Sequence, residues 1–227
     1  MIRIISATRL SRQDFIKEAP LGASLGRLSF DKRLTARVAF ENTSGLPAIY
    51  NAALDAADAA EILVFMHDDV WIEDYFFVDR IINALTSFDI MGIAGNKRRV
   101  PRQPSWAFLA PSEGKLVWDA PENLSGAVAH GKAPFGPVTF FGPTPAPCEL
   151  LDGVLLAARR DALRAKAVRF DPRFDFHFYD LDFCRTARAA GLALGCEALA
   201  ITHRSNGDFG SAGWRRNYAT YLEKWGE

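Results

Sequence analysis

The chain has 227 residues, enough for one full α/β domain with a sizeable core but not for two enzyme domains joined by a linker. Lys plus Arg and Asp plus Glu both number 27, so the sequence lacks the excess positive charge of a nucleic-acid-binding protein, and we expect no nucleic-acid partner. No stretch approaches the roughly 20 apolar residues that span a bilayer, so we expect at most a peripheral membrane contact.

The first half of the chain alternates strand and helix patterns. Short apolar runs predict strands at residues 2–7, 36–40, 62–66 and 90–94, and the run at 62–66 is continuous, as in a strand buried on both faces. Apolar residues at helical spacing predict helices at 46–57 and 74–85. This order predicts an α/β fold with a mostly parallel, Rossmann-like central sheet flanked by helices.

The second half begins with a stretch that breaks this rhythm. Residues 96–147 are rich in Pro, Gly, Trp and Phe and show little periodicity, which is typical of a functional or mobile insertion. A strand is predicted at 149–157, a helix from Tyr179 or Asp180 to 190, and a last strand at 192–202. The sequence thus divides into a first part (1–95), the irregular insertion (96–147), a second part (148–211) and a C-terminal helix (212–227).

A polar motif, His67-Asp68-Asp69, directly follows the buried strand at 62–66. Ligands of doubly wound sheets bind outside the carboxyl ends of the strands. Two carboxylates and an imidazole there are suited to a divalent cation, Mg²⁺ or Mn²⁺, and the imidazole favours Mn²⁺. An ordinary polar turn that caps the next helix is the alternative interpretation.

A second acidic segment, 171–184, contains Asp180 and Asp182 at the start of a predicted helix. A carboxylate in that position is favoured by the helix dipole, and it is also suited to remove a proton from an acceptor hydroxyl. The two side chains point in different directions because they are two residues apart. His203 follows one strand later and completes a metal site if that strand ends at the same crevice; a purely structural histidine is the alternative.

Several short motifs, taken in order, resemble the GT-A fold glycosyltransferases of the large inverting family 2, and most of all its subgroup related to streptomycin-biosynthesis glycosyltransferases. The motifs are the opening strand at 2–7, Glu41-Asn42-Thr43-Ser44-Gly45-Leu46, Tyr50-Asn51, Phe65-Met66-His67-Asp68-Asp69-Val70, Leu151-Asp152-Gly153-Val154, the segment 178–185, and His203-Arg204-Ser205. The resemblance covers nearly the whole chain except 96–147.

This resemblance implies a metal-dependent, inverting transfer of a sugar from a nucleotide-diphosphate sugar to the hydroxyl of a saccharide or small-molecule acceptor. Asp69 matches the second aspartate of the family's DxD motif and His67 stands at the first, so the implied metal ligands are His67, Asp69 and His203. Asp180 matches the family's general base, with Asp182 in reserve, while Tyr179 replaces the glutamate that precedes it. The implied nucleotide-sugar-binding residues are Glu41, Asn42, Asn51, Asp68, Asp152 and Gly153.

Two other functions stay open at this point: a catalytically weak nucleotide-sugar-binding protein of the same fold, and a nucleotidyltransferase. The lack of a Gly-rich phosphate loop argues against the nucleotidyltransferase.

The aromatic residues of 106–141 either stack on sugar rings or form a small core of their own. Trp214, Tyr218, Tyr221 and Trp225 share one face of the C-terminal helix, which predicts docking on the domain, with a membrane surface or a dimer contact as alternatives. Three cysteines without CxxC spacing and a start unlike a signal peptide favour the cytoplasm, and the oligomeric state is not predicted.

Overall fold

The computed structural model describes residues 1–58, 60–112, 115–205 and 207–227. In chain order its helices and strands are β1 (Ile2–Ala7), α1 (Arg12–Glu18), α2 (Pro20–Arg27), β2 (Leu34–Ala39), α3 (Leu46–Asp55), β3 (Ile62–Met66), β4 (Val70–Ile72), α4 (Phe77–Ala84), β5 (Ile90–Gly92), β6 (Ala94–Asn96), β7 (Phe108–Ser112), β8 (Lys115–Trp118), β9 (Leu124–His130), β10 (Val138–Gly142), β11 (Ala146–Pro147), β12 (Leu150–Leu151), β13 (Leu155–Arg159), α5 (Arg160–Ala165), α6 (Tyr179–Ala189), β14 (Leu194–Cys196), β15 (Ile201–His203) and α7 (Ala212–Trp225). A short 3₁₀ helix, Pro121–Asn123, precedes β9.

The first sheet has the strand order β11-β14-β5-β13-β3-β1-β2. Strand β1 pairs in parallel with β2 and β3, and β14 with β5, whereas β13 runs antiparallel between β3 and β5 and β11 runs antiparallel to β14. Among the described strands of this sheet, β1, β2, β3, β5 and β14 therefore point the same way and β13 and β11 are reversed. The predicted α/β fold with a mostly parallel sheet is confirmed.

The core of this sheet follows from the apolar patterns in the sequence. All of β3 is buried, as its continuous apolar run predicts, and helix α3 buries Tyr50, Ala53 and Leu54. Helix α4 buries Val78 and Ile81. The sequence analysis does not predict α1 or α2, because helices of seven and eight residues show too little periodicity to be recognised.

A second sheet, β12-β6-β9-β15-β4 with β10 paired to β9, is built largely from the segment that lacks periodicity in the sequence. Residues 96–147 contain more regular structure than the sequence predicts: β7 pairs with β8 and β9 with β10, and β9 also pairs with β6 and β15. These strands are missed because they are short and show no clear alternation of apolar and polar residues. Their aromatic side chains form a connected row. Ring centroids are 4.9 Å apart for Trp106 and Phe141, 6.0 Å for Phe141 and Trp118, and 4.5 Å for Trp118 and Phe108.

The chain passes between the two sheets at short links, and the strands predicted at 90–94, 149–157 and 192–202 are each divided in two at such a link. Residues 67–69 join β3 to β4, and residues 152–154 join β12 to β13. The predicted strand at 192–202 becomes β14 in the first sheet and β15 in the second. An apolar run does not show where a strand leaves one sheet for the other.

Helix α7 is docked on the domain, as the aromatic face predicts. Ser211 caps its first turn through Trp214 N, and Gly226 ends it in the left-handed conformation. Ring centroids of Trp214, Tyr218 and Tyr221 lie 5.3, 5.3 and 5.4 Å from that of Phe178. Among the helices of the described residues, none is long and apolar enough to cross a membrane.

Candidate active site

Two links between the sheets and the end of β15 meet at one place. Strand β15 pairs antiparallel with β4 with His203 opposite Val70, and the amide of Arg204 donates to the carbonyl of Asp69. This register places the His203 ring beside the link that contains His67 and Asp69. Asp69 Oδ1 lies 3.2 Å from His203 Nε2 and 4.0 Å from His67 Nδ1.

The three predicted metal-binding side chains therefore form one cluster. One ligand atom from each of His67, Asp69 and His203 lies within 4.8 Å of the others. Two imidazole nitrogens and a carboxylate oxygen are a donor set that suits divalent first-row metals, so the residues present fit the cation that the sequence predicts.

The protonation states in the cluster are set by burial and by mutual contacts. Burial raises the pKa of Asp69, but the hydrogen bond and charge of His203 outweigh it, and the net pKa lies well below the ordinary value. Burial and the charge of His203 lower the pKa of His67. Asp69 is therefore ionised and His67 neutral at neutral pH, the forms in which both side chains bind metal.

Tyr179 connects this cluster to the link at 152–154. Its hydroxyl oxygen lies 3.1 Å from His67 Nε2 and donates a hydrogen bond of 2.7 Å to the carbonyl of Gly153. A Cβ at position 153 would lie 2.5 Å from the Tyr179 hydroxyl, well inside the 3.0 Å below which Cβ atoms essentially never approach a non-bonded atom. Position 153 thus needs glycine for this close approach of α6 to the link.

Asp180 lies in the first turn of α6, next to this contact. Its Oδ2 accepts a 3.0 Å hydrogen bond from the amide of Gly153. Burial, and then the charge of Asp152, raise the pKa of Asp180 to about 7. Hydrogen bonds through Gly153 and Tyr179 therefore link Asp180 to the cluster of His67, Asp69 and His203. Its carboxyl group can exchange a proton near neutral pH.

Asp152 lies at the start of the same link and faces the aromatic row. Its Oδ2 accepts a 2.7 Å hydrogen bond from Trp106 Nε1, and its Oδ1 accepts one of 2.9 Å from the amide of Val154. Trp106 is buried, whereas Trp118 farther along the row is 53% exposed. The insertion therefore presents an aromatic surface that begins at Asp152.

Three predicted nucleotide-sugar-binding residues lie at the carboxyl edge of the parallel strands. The amide of Glu41 donates to the carbonyl of Leu10 and that of Asn42 to the carbonyl of Thr8, which holds the ends of β1 and β2 side by side. Asp68 lies at the end of β3, between the two predicted metal ligands. The side-chain amide of Asn42 already forms two hydrogen bonds with the backbone of Ser44. Among these three described residues, the carboxylates of Glu41 and Asp68 are therefore more available to a ligand.

Two predicted site residues have side chains that are engaged with other parts of the fold. Asn51 donates to the carbonyl of Phe170 at 2.7 Å and accepts from its amide at 3.0 Å, so its side chain secures a loop. Asp182 is buried, forms an ion pair with Lys224 at 2.7 Å and accepts from Trp225 Nε1 at 3.0 Å. This carboxylate fastens α7 to α6, and of the two predicted bases only Asp180 contacts the link at 152–154.

Two neighbours of the cluster are absent from the predicted site. Phe176 is stacked on His67, with ring centroids 5.5 Å apart and planes 26° from parallel. The ring centroid of His130 lies 5.8 Å from that of His203, because β9 pairs in parallel with β15 and places these two residues in register. Phe176 lies in the second acidic segment, next to residues that the sequence assigns to the site, whereas the pairing of β9 with β15 leaves no signal in the sequence.

Comparison with protein families gives a match over most of the chain. The family described as "Glycosyltransferase like family" matches residues 27–201. None of the curated proteins compared with the chain matches it.

Comparison with solved structures places the fold among known ones. The catalytic domain of Drosophila β1,4-galactosyltransferase 7, solved with xylobiose, is 12% identical with a TM-score of 0.51, covering 96% of this chain and 79% of that one. Residues 1–349 of S. aureus TarS, solved with UDP-GlcNAc, are 15% identical with a TM-score of 0.52, covering 91% of this chain and 59% of that one. A197 from STIV is 11% identical with a TM-score of 0.53, covering 90% and 86%. At these identities the likeness shows the fold, which is of the GT-A type.

Proposed function

This chain belongs to the glycosyltransferase-like family and is a transferase, and we propose that it is a metal-dependent, inverting glycosyltransferase that acts on a nucleoside diphosphate sugar. One observation carries the proposal. The metal-ligand cluster of His67, Asp69 and His203 is joined through Tyr179 and Gly153 to Asp180, a carboxylate with a pKa near 7. Binding of an anionic leaving group and removal of a proton are the two requirements of this reaction.

His67, Asp69 and His203 would hold the cation, and their imidazole content favours Mn²⁺ over Mg²⁺. A divalent cation at this place supplies positive charge that offsets the charge developing on a departing diphosphate. Glu41 and Asp68 extend from the cluster along the carboxyl edge of the sheet. We assign this edge to the nucleoside part of the donor.

Asp180 is the proposed general base. A carboxylate with a pKa near 7 is partly ionised at neutral pH and is a stronger proton acceptor than an ordinary aspartate, which is suited to an alcohol. Removal of the acceptor proton as the new bond forms typically contributes a factor of about 10²–10⁴ to the rate. One displacement, with base and leaving group on opposite faces of the sugar, inverts the anomeric carbon.

We propose a saccharide as the acceptor, bound on the insertion side of the site. Asp152 lies between Asp180 and the aromatic row that begins with Trp106 and extends to the half-exposed Trp118. Flat indole rings suit the apolar faces of sugars, and carboxylates accept hydrogen bonds from sugar hydroxyls. The comparison structures, which contain UDP-GlcNAc or xylobiose, make UDP-sugars and short saccharides the first candidates to test.

The test is an assay of nucleotide release. The purified chain is incubated with Mn²⁺ and a panel of UDP-, GDP- and dTDP-sugars, with and without saccharide acceptors. Release of nucleoside diphosphate that requires metal and is lost in Asp180→Asn, but kept in the matched control Asp182→Asn, supports the proposal. NMR of the product then reports whether the anomeric configuration is inverted.

Two other results would overturn the proposal. Release of pyrophosphate from nucleoside triphosphate and a sugar phosphate would show a nucleotidyltransferase. Tight binding of nucleotide sugar without turnover across the acceptor panel would show a binding protein of the same fold.

A further inference from the structure

The side chain of His67 is held by two neighbours of different chemistry. Phe176 lies against the face of the ring, with centroids 5.5 Å apart, and so fixes its plane. The Tyr179 hydroxyl lies 3.1 Å from Nε2, within hydrogen-bond distance. Nδ1 faces Asp69 Oδ1 at 4.0 Å, which is too long for a hydrogen bond.

The direction of the Tyr179 hydrogen bond decides which nitrogen of His67 carries the proton. A phenol hydroxyl has one proton to donate, and that of Tyr179 is given to the carbonyl of Gly153 at 2.7 Å. The Gly153 carbonyl has no proton of its own, so the bond cannot run the other way. The Tyr179 oxygen can then only accept a hydrogen bond from His67, and this requires that Nε2 carries the proton.

We propose that Tyr179 is a positioning residue that fixes His67 as the Nε2–H tautomer and thereby makes Nδ1 the nitrogen that binds the cation. The inference rests on the proposed metal site and adds the atom that ligates and the residue that selects it. An outer partner that receives the second N–H of a ligating histidine fixes both tautomer and ring orientation. Tyr179, held by the Gly153 carbonyl, is such an outer partner of His67.

Tyr179 and Asp180 are adjacent on α6 and both form hydrogen bonds with Gly153. The residue precedes the proposed base, Asp180, on α6, and its hydroxyl reaches the other side of Gly153. Gly153 thus contacts both residues, its carbonyl with Tyr179 and its amide with Asp180. The orientation of the metal ligand and that of the base depend on the same peptide segment.

The tautomer is measured directly in metal-free protein treated with EDTA. Long-range ¹H–¹⁵N correlation spectra distinguish protonated from unprotonated ring nitrogens, and the chain has four histidines, so the His67→Gln spectrum identifies the His67 signals. We expect a protonated Nε2 and an unprotonated Nδ1 in the wild-type protein. In Tyr179→Phe we expect signals averaged between the two tautomers, and a Mn²⁺ affinity lower by about 10–100-fold by calorimetry.

Tyr221→Phe is the matched control. Tyr221 is also fully buried, and its hydroxyl accepts a 3.2 Å hydrogen bond from Arg185, which is not part of the cluster. It should leave both the tautomer and the Mn²⁺ affinity unchanged. A wild-type His67 protonated at Nδ1, or a Tyr179→Phe protein with wild-type spectra and affinity, would overturn the inference.

The two proposals fail in different ways. If the wild-type protein binds no Mn²⁺, the metal-dependent function fails, and the tautomer in the metal-free protein alone decides the role of Tyr179. If Mn²⁺ binds and His67 carries its proton on Nδ1, the proposed metal site is supported and the proposed role of Tyr179 is refuted.

Discussion

Replacing Asp180 by asparagine should remove activity and stabilise the fold at the same time. The amide keeps the shape of the side chain and its ability to accept from the Gly153 amide, but it cannot remove a proton. We expect the rate to fall by about 10²–10⁴, the usual contribution of a general base. In the wild-type enzyme kcat/KM should fall about tenfold per pH unit below pH 7, because the base form of Asp180 is lost as its carboxylate is protonated.

The effect on stability follows from the same pKa. Folding raises the pKa of Asp180 from 3.8 to about 7, mainly by burial and then by the charge of Asp152. Between these two pH values the folded state holds a proton that the unfolded state has released, so stability falls as pH rises through this window. About three pKa units correspond to about 4 kcal/mol, which is an upper bound for a partly buried carboxylate. The asparagine variant does not undergo this loss.

Urea denaturation of both proteins between pH 4.5 and pH 8 measures this difference. The free energy of unfolding of Asp180→Asn relative to wild type should increase by up to about 3 kcal/mol between pH 4.5 and pH 8, since part of the window lies below pH 4.5, and level off above pH 7. Asp182→Asn is the control: it removes one of the two carboxylates that pair with Lys224 and leaves Asp171 at 2.8 Å from Nζ. It should lower the free energy of unfolding by about 1–3 kcal/mol and should not alter the pH–rate profile. A relative stability of Asp180→Asn that does not change with pH would refute the burial argument, and near-normal activity would refute the assignment of the base.

Three further variants separate metal binding, substrate binding and folding. His203→Ala removes a proposed ligand and should weaken Mn²⁺ binding by more than the about 10–100-fold that loss of an outer partner costs, as measured by calorimetry. Trp106→Phe removes the donor to Asp152 and should raise the acceptor KM about fivefold, the equivalent of one hydrogen bond, with kcat little changed in steady-state kinetics. Asn51→Ala leaves the backbone of Phe170 without its partners and should lower the free energy of unfolding by about 1–3 kcal/mol in urea titrations, whereas an altered nucleotide affinity would restore Asn51 to the site.

The parts of the fold that are predictable from sequence are those in which local pattern and burial agree. Strand β3 is a continuous apolar run and is buried throughout, and its end at Met66 places the following polar residues at the sheet edge. The cluster of His67, Asp69 and His203 could be anticipated because each residue ends a predicted strand or follows one. The antiparallel pairing of β15 with β4, which the sequence does not predict, then brings His203 to the link that follows β3.

The rest depends on contacts that no local pattern records. The strands of the insertion pair partly with each other, β7 with β8 and β9 with β10, and partly with β6, β14 and β15. His130 lies beside His203 because β9 pairs with β15. Asp182 and Asp180 look alike in the sequence, and the packing of α7 separates them by supplying Lys224 and Trp225 to Asp182. The amide of Asn51 is used by Phe170, 119 residues along the chain.

The links that carry the candidate site are among the covalent connections between the two sheets. Residues 67–69 and 152–154 each leave one sheet and enter the other, and His203 ends a strand of the second. The spacing of these groups is therefore set by how the two sheets pack against each other as well as by the links themselves. A substitution between the sheets, far from His67, is expected to change the distances within the cluster while leaving the strand pairing within each sheet intact.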